Sequence, residues 1–296
     1  MTDPARSWLC GAVGAGSTTA VTRLALESVL RGGGDRWTRT NHRGAPVSLL
    51  EGPAVAAGLL AGGVLEAPNR RGALAVASAT VGAAVLGLVD DLGEASGDRA
   101  KGLRGHLGAL RRGRLTTGGL KVLGIGASSL MAAVLATPRP PSGRRLPWAV
   151  DVLSSGALIA GCANLVNLFD LRPGRALKVA VLVSAPIALA GRDGAGVAGA
   201  VLGAAAGAAK ADLHGTDMLG DGGANAIGAA LGTAVVLDTP RSVRWGLLAG
   251  VVALTLASER VSFTEVIART PVLRAVDHWG RRDSEVHQDA SRGAVG

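Results

Sequence analysis

Aromatic residues are scarce in this 296-residue sequence: Phe, Trp and Tyr together make up 2% of it, and tyrosine is absent. The core of a soluble domain of this length normally contains more of them. Alanine, valine, leucine and 45 glycines supply the apolar surface instead. This composition favours closely packed membrane helices, in which small residues let backbones approach. The pairs Gly58–Gly62, Gly203–Gly207 and Gly228–Gly232 have the spacing of such helix contacts.

Cysteine and histidine are also rare, and neither forms a recognisable site. Cys10 and Cys162 both lie within apolar runs, which argues against a disulfide framework. The five histidines show no paired ligand spacing, so a zinc site is not expected. The N-terminal segment lacks the basic start and the clear cleavage site of a secretory signal, so no cleaved signal is expected.

The formal charge of +9 is not gathered on one basic face or in one tail. The basic residues fall in the gaps between apolar runs, which argues against a nucleic-acid-binding protein. Basic residues between apolar runs determine the orientation of a membrane protein or contact anionic lipid head groups.

Nine apolar runs predict an all-α, polytopic integral membrane bundle with nine or ten transmembrane helices. Several runs are shorter than the roughly 20 residues that a bilayer crossing needs. We expect a transmembrane domain over 1–257 and a cytoplasmic tail over 258–296. The runs lie at 8–27, 53–67, 73–89, 118–136, 146–168, 176–190, 194–209, 222–237 and 245–257.

Basic residues are distributed unequally between alternate gaps. The gaps after odd-numbered runs, with the C-terminal tail, hold 19 basic residues, and the gaps after even-numbered runs hold 8. Because cytoplasmic loops carry the excess of Lys and Arg, the odd-numbered gaps and the C-terminus are predicted to be cytoplasmic. The N-terminus is then predicted to lie outside.

Polar residues at the ends of apolar runs fall on that same predicted cytoplasmic side. Four separate loops each place carboxylate, amide or imidazole groups at a membrane boundary, where such groups are costly and usually functional. This convergence predicts a site. The residues are Asn41, His42, Asp90, Asp91, Asn164, Asn167, Asp170, Asp217 and Asp221.

Three of these segments can be interpreted either as ligand-binding or as purely structural. Asp90 and Asp91 are adjacent carboxylates suited to a cation, or else a solvated helix end. Asn164 and Asn167 share one helix face, for a ligand or for a polar helix contact. Asp221 stands in a glycine-rich turn before an apolar run. There it could hold a metal beside a phosphate bound by the helix N–H groups, or simply lead the turn.

Taken in chain order, these segments resemble motifs of a family of membrane enzymes. The family includes phospho-N-acetylmuramoyl-pentapeptide transferase and the polyprenyl-phosphate N-acetylhexosamine-1-phosphate transferases. The Leu-Gly-Asp-Gly-Gly sequence at 219–223 is similar to its M-G-D-x-G loop. Its aspartate pair after the third span and its N-x-x-N-L-x-D loop are matched by Asp90, Asp91, Asn164, Asn167, Leu168 and Asp170. Because the order and membrane depth also match, the resemblance covers most of the chain.

The resemblance implies a Mg²⁺-dependent enzyme of the cell membrane, with its active-site loops in the cytoplasm. Such an enzyme transfers a sugar-1-phosphate from a UDP-sugar to polyprenyl phosphate and releases UMP. By the same resemblance, Asp221 is the magnesium ligand, Asp90 and Asp91 are catalytic, and a homodimer is possible. The substrate-binding residues implied are Asn41, His42, Lys101, Arg104, His106, Asn164, Asn167 and Asp170.

The sequence departs from the family at the loop after the fifth run. Pro173 stands where the family has a second aspartate, and Arg172 and Arg175 add positive charge. A tenth span and the family's His-rich motif are not recognised. Two alternatives therefore stay open. One is a catalytically inactive member that binds polyprenyl phosphate or a cell-envelope partner. The other is a small-solute permease, although the inverted repeats typical of permeases are not evident.

Overall fold

The computed structural model describes residues 4–30, 34–41, 44–93, 117–139 and 145–281. These segments contain eleven α-helices, a short 3₁₀-helix at Gly34–Trp37 and one antiparallel pair of strands. The strands are β1 (Thr38–Thr40) and β2 (Pro46–Ser48). The helices are α1 (Pro4–Leu30), α2 (Glu51–Leu65), α3 (Arg70–Gly93), α4 (Thr117–Ala136), α5 (Arg145–Phe169), α6 (Arg175–Ala190), α7 (Ala195–Leu213), α8 (Gly220–Asp238), α9 (Arg241–Ser258), α10 (Phe263–Arg269) and α11 (Pro271–His278).

Each of the nine apolar runs lies on one of the helices α1–α9, so the predicted all-α architecture is confirmed. Among the described residues, α3, α4 and α5 are each long and apolar enough to cross a membrane. The pair α9 and α10 would make a fourth span if the two were counted together, although a bend of 92° separates them. The protein therefore has the helices of a membrane protein, whereas the count of nine spans and the orientation of the termini stay predictions.

Helix α8 lies at the centre of the bundle, where it contacts α2, α3 and α5. Its glycines make this position possible. A methyl group added at Gly228 would overlap the backbone carbonyl of Cys162 on α5, and one at Gly232 would crowd Ile159. The predicted helix contact at this glycine pair is confirmed.

The other two glycine pairs are also helix contacts, and both face α1. Gly58 and Gly62 on α2 lie against its backbone, where a side chain would overlap the carbonyls of Ala15 and Gly11. On α7, Gly203 and Gly207 approach α1 from another side. Close backbone contact of this kind supplies the dispersion energy that holds membrane helices together.

The outer surface of the bundle is apolar. α9 has no buried residue although most of it is apolar, and it packs mainly against α5. Large apolar side chains exposed on the other outer helices include Val21 and Leu24 on α1 and Met131 on α4. Exposed apolar side chains on several helices are typical of a lipid-facing surface.

The β1–β2 hairpin is tied to the loop that precedes α8. The Ser48 N–H donates to the Thr216 carbonyl at 3.1 Å, and the Met218 N–H donates to the Ser48 carbonyl at 2.9 Å. These bonds bring the connection after α1 to the start of α8. Two of the loops that the sequence places on one side therefore meet there.

Candidate active site

The three aspartates predicted for catalysis and metal binding come together at one end of the bundle. Asp90 and Asp91 lie in the last turn of α3, and Asp221 is the second residue of α8. The two helices meet there because Gly87 has no side chain: a methyl at that position would overlap the Asp221 carbonyl. Sequence segments 130 residues apart thus form a single cluster.

Asp91 caps the N-terminus of α8. Its two carboxylate oxygens accept hydrogen bonds from the N–H groups of Asp221 and Gly222, each at 2.9 Å. A carboxylate at this position satisfies donors that have no partner within the helix and interacts favourably with the helix dipole. The sequence predicts that the N-terminus of this helix offers N–H groups to an anion. For these two groups the anion is the protein's own carboxylate.

Lys121 on α4 lies between the other two carboxylates. Its Nζ donates to Asp221 Oδ2 and lies 3.4 Å from Asp90 Oδ2. All three side chains are largely buried. Lys121 was not predicted as a site residue, because it falls within the apolar run 118–136. The signal was nevertheless present, since an ionisable residue within an apolar membrane segment is usually paired and functional.

The cluster has more acidic than basic groups, because it contains three carboxyl groups and one ammonium group. Asp90 and Asp221 converge on the point that the lysine Nζ occupies, whereas both oxygens of Asp91 are already engaged. In the described part of the chain, no group of three or more His, Cys, Asp or Glu side chains could hold a metal ion. Two carboxylates completed by substrate phosphates are a usual magnesium environment. The donor set of Asp90 and Asp221 fits that description.

Asp170 lies beside this cluster, immediately after the end of α5. The pKa of its half-buried carboxyl group lies well above the usual value because the surrounding protein desolvates it, and because the carboxylates of Asp212, Asp221 and Asp91 are near. The N–H of Gly220 acts in the opposite direction. A third N–H group at the start of α8 thus also meets a carboxyl group. Asp170, predicted to bind substrate, therefore adjoins the aspartate cluster.

The remaining predicted binding residues differ in exposure and in position. Asn167 is half-buried and Asn164, one turn earlier on α5, is exposed. Asn41 closes the hairpin turn, because its Oδ1 accepts the Ala45 N–H at 3.0 Å. The hairpin reaches the cluster through Arg39 instead, whose guanidinium donates to the backbone carbonyl of Asp91. His42, Lys101, Arg104 and His106 lie outside the described residues.

A second group of charged residues lies behind the hairpin. Arg23 on α1 forms a two-pronged ion pair with Asp217, with Nη2 2.9 Å from Oδ1. Glu51, the first residue of α2, is only 2% exposed, and neither of its oxygens accepts a hydrogen bond among the described residues. Arg23 and Glu51 were not predicted. Their position inside or beside apolar runs was the available signal.

The loop that departs from the family pattern is bound by the C-terminal segment. Arg175, the first residue of α6, donates to both oxygens of Asp277 at 2.8 and 3.0 Å and to Thr264 Oγ1 at 2.9 Å. Arg281 donates to the Pro173 carbonyl at 2.8 Å. The Arg175 charge is therefore paired with α11 and does not face the aspartate cluster.

Asp277 stays ionised in this buried network. Burial alone would raise the pKa of its carboxyl, but the hydrogen bond from Arg175 and the charge of Arg281 lower it below the usual value. The rings of Phe169 and Phe263 stack nearby, with centroids 5.0 Å apart. The C-terminal segment is thus held to the end of α5 and the start of α6 by both charge and aromatic packing.

The arrangement combines carboxylates for a cation, an ammonium for a phosphate and helix ends at one side of an apolar bundle. Comparison with protein-family models finds no match for this chain, and comparison with curated proteins finds no significant one. The case for a function therefore depends on the residues of the cluster and on the resemblance of its motifs.

Proposed function

We propose that the chain is a phosphoglycosyl transferase that moves a sugar-1-phosphate from a UDP-sugar to polyprenyl phosphate, with release of UMP. The observation that carries the proposal is the meeting of Asp90, Asp91 and Asp221 at one end of the bundle. In the reaction, an oxygen of the lipid phosphate forms a bond to the phosphorus that bears the sugar. The bond from that phosphorus to the oxygen shared with UMP breaks, and UMP leaves with the electron pair.

Asp90 and Asp221 are the residues that would hold Mg²⁺, because their carboxylates converge on one point. A bound magnesium ion would polarise the phosphoryl group and neutralise charge as the phosphate bond breaks. The excess of negative charge in the cluster supports a cation there, for which the Lys121 ammonium group would have to move aside.

Other side chains of the cluster have roles in positioning the site and in binding substrate. Asp91 holds the turn before α8 and so fixes Asp221 against α3. Lys121, whose ammonium group contacts the carboxylates of Asp90 and Asp221, can donate to a phosphate oxygen when substrate enters. Asp170 adjoins the same helix N-terminus, where it is suited to hold a polar group of the nucleotide or diphosphate. In this proposal, Asp91 positions the site and Asp90 contacts the reacting groups.

We further propose that the protein is a multi-pass protein of the cell membrane, with nine spans and the site on the cytoplasmic side. The nine helices α1–α9 and the unequal distribution of basic residues support this topology. A membrane setting also explains how a long polyprenyl chain reaches the cluster, since the apolar exterior is continuous with the bilayer. Labels at positions 104 and 285 should react only from the cytoplasm, and a label at 142 only from outside. Reaction of 104 and 142 from the same side would overturn the topology.

The function is tested by incubating the purified protein with magnesium, polyprenyl phosphate and a panel of UDP-sugars while UMP is measured. We expect UMP release with at least one donor, together with a lipid-linked diphosphate sugar. Chelation should abolish the release, and added magnesium should restore it. Full turnover in excess chelator would contradict the role assigned to the metal.

A second candidate is an inactive relative that binds polyprenyl phosphate without turnover. The position of Lys121 favours it, because an ammonium already neutralises the point at which Asp90 and Asp221 converge. Pro173, in place of the family's second aspartate, favours it as well. Binding of polyprenyl phosphate without UMP release from any donor would support this candidate over the enzyme.

A further inference from the structure

Helix α11 is oriented in the opposite way to an amphipathic helix of a soluble protein. Its polar residue Asp277 is buried against the bundle, whereas Val272, Val276 and Trp279 are 72%, 54% and 76% exposed. These three residues are four and three positions apart, so they share one face of the helix. α11 therefore contacts the protein through Asp277, and its apolar side points away from the protein.

The buried contact of α11 is specific and strong. Asp277 is bound by Arg175 through two hydrogen bonds and by Arg281 at 2.9 Å, and Lys178 Nζ donates to the Asp277 carbonyl at 2.6 Å. This network determines which side of α11 faces the bundle. The outward direction of the apolar face is thus a consequence of paired charges and not of a loosely attached terminus.

Because Asp277 is bound to Arg175, the first residue of α6, α11 lies at the end of the bundle where α6 begins. α9 belongs to the lipid-facing surface of the bundle, and the chain turns by 92° between α9 and α10. If α9 runs across the bilayer, α10 continues roughly along its surface. A tryptophan and a basic residue next to an apolar face are typical of helices in the head-group layer. Trp279 and the exposed Arg274 supply both.

We infer that α11 lies in the head-group layer of the same membrane, with Val272, Val276 and Trp279 in the lipid and Arg274 at the phosphate level. The occupant of the apolar face is thus an anionic lipid surface. Because Arg175 begins α6 and follows the loop that carries Asp170, the helix also sets the depth of that loop relative to the lipid phosphates. The inference rests on the proposed membrane embedding and is independent of transferase activity.

The inference is tested with spin labels on the full-length protein in vesicles of phosphatidylcholine and phosphatidylglycerol. Cys10 and Cys162 are replaced by alanine, and single labels are attached to Val276→Cys, Arg274→Cys and Leu254→Cys. Leu254 is an exposed residue of α9 and reports embedding, whereas Arg274 reports the polar side of α11. The accessibility of each label to oxygen, which enters lipid, is compared with its accessibility to a water-soluble nickel chelate.

We expect labels at 276 and 254 to be several-fold more accessible to oxygen than to the chelate, and the label at 274 to show the reverse. A water-like label at 276 with a lipid-like label at 254 would overturn the inference and leave the embedding intact. A label at 276 that neither reagent reaches would show that a protein surface covers the face, which also overturns it. A water-like label at 254 would instead contradict the embedding on which the inference rests. UMP release plays no part in these outcomes.

Discussion

Helices α8 and α9 follow one another in the chain and have 19 and 18 residues, yet their surroundings are opposite. Nearly every residue of α8 is buried by protein, whereas α9 has no buried residue at all. Both are apolar, so hydrophobicity does not decide which of them is central. α8 is built mainly from Gly and Ala, and α9 carries Leu, Val and Trp along its length. Small side chains let neighbouring backbones approach on all sides, and large ones suit contact with lipid.

A large side chain on α8 should have the greatest effect on assembly of the bundle. We expect Gly228→Leu to prevent assembly of the bundle, because even a methyl group there overlaps the Cys162 carbonyl and the backbone cannot yield. Yield of monodisperse protein in detergent and its thermal unfolding measure the effect. Gly250→Leu on α9 is the matched control, since nothing lies within 4 Å of a side chain added there. Equal behaviour of the two variants would show that α8 is not packed as described.

The proposed function assigns different roles to the two ends of α8. Asp221→Asn keeps the size of the side chain but removes the charge that a hard cation requires. Loss of about 3–4 kcal/mol of charge stabilisation would slow UMP release roughly 10²–10³-fold. Asp238→Asn, at the opposite end of the same helix, should leave the rate near wild type. Wild-type turnover by Asp221→Asn would exclude the metal role of that carboxylate.

Ion pairs hold the segment after α9 in place, whereas small side chains allow α8 to pack against its neighbours. Asp277→Asn leaves Arg175 buried without its ionic partner, which typically costs about 3–5 kcal/mol. We expect release of α10 and α11, measured as faster proteolysis within 260–280 while the bundle stays intact. The double variant Arg175→Met, Asp277→Leu should recover part of the protection, because it removes the unpaired charge of Arg175, although Arg281 also loses its contact with Asp277. No recovery would mean that these two residues do not act as a pair.

The same ion pair predicts a pH dependence for this segment. The pKa of Asp277 is lower in the folded protein than its usual value of about 3.9, so its stabilising contribution is complete above that pH. The contribution is lost as the pH falls through the lower, folded-state pKa. Protection of α11 from proteolysis by an acid-active protease should therefore persist at pH 5 and decline only below about pH 4.

The smallest expected effect belongs to α9. Gly250→Ala places a better helix former at a position with open space, which favours the helix by up to about 1 kcal/mol. Thermal unfolding in detergent should show an unchanged or slightly raised midpoint. Gly228→Ala should lower the midpoint, because the same methyl group has no room on α8. A lowered midpoint in both variants would contradict the difference between the two helices.

Local features of the sequence predicted the helices and their contacts well, because apolar run length and small-residue spacing act over a few turns. The nine runs and the three glycine pairs are examples. Pairings across long stretches of chain were not predicted. Lys121 meets Asp221 across 100 residues, and Arg175 meets Asp277 across 102. Their partners depend on which helices pack together, and the charge of Arg175 was consequently read as part of the substrate loop.

The anion that binds at the N-terminus of α8 could not be identified from the sequence for a related reason. A glycine-rich turn before a helix indicates that an anion will bind, but not which anion. Here Asp91, distant in sequence, competes for the same N–H groups and takes two of them. The convergence of aspartates was nevertheless correctly anticipated for Asp90, Asp91 and Asp221, because all three stand at ends of apolar runs that the basic residues place on one side.

The lysine between Asp90 and Asp221 has a consequence for how the protein is made. A chain entering a membrane must bring its helices together before any substrate is present, and converging carboxylates would then repel one another in a medium of low dielectric constant. Lys121 arrives on α4 in the order of synthesis, after α3 and long before α8. If the helices enter the membrane in this order, the counter-charge for Asp221 is already present when α8 joins α3 and α4. The acidic cluster can then assemble before any substrate is bound.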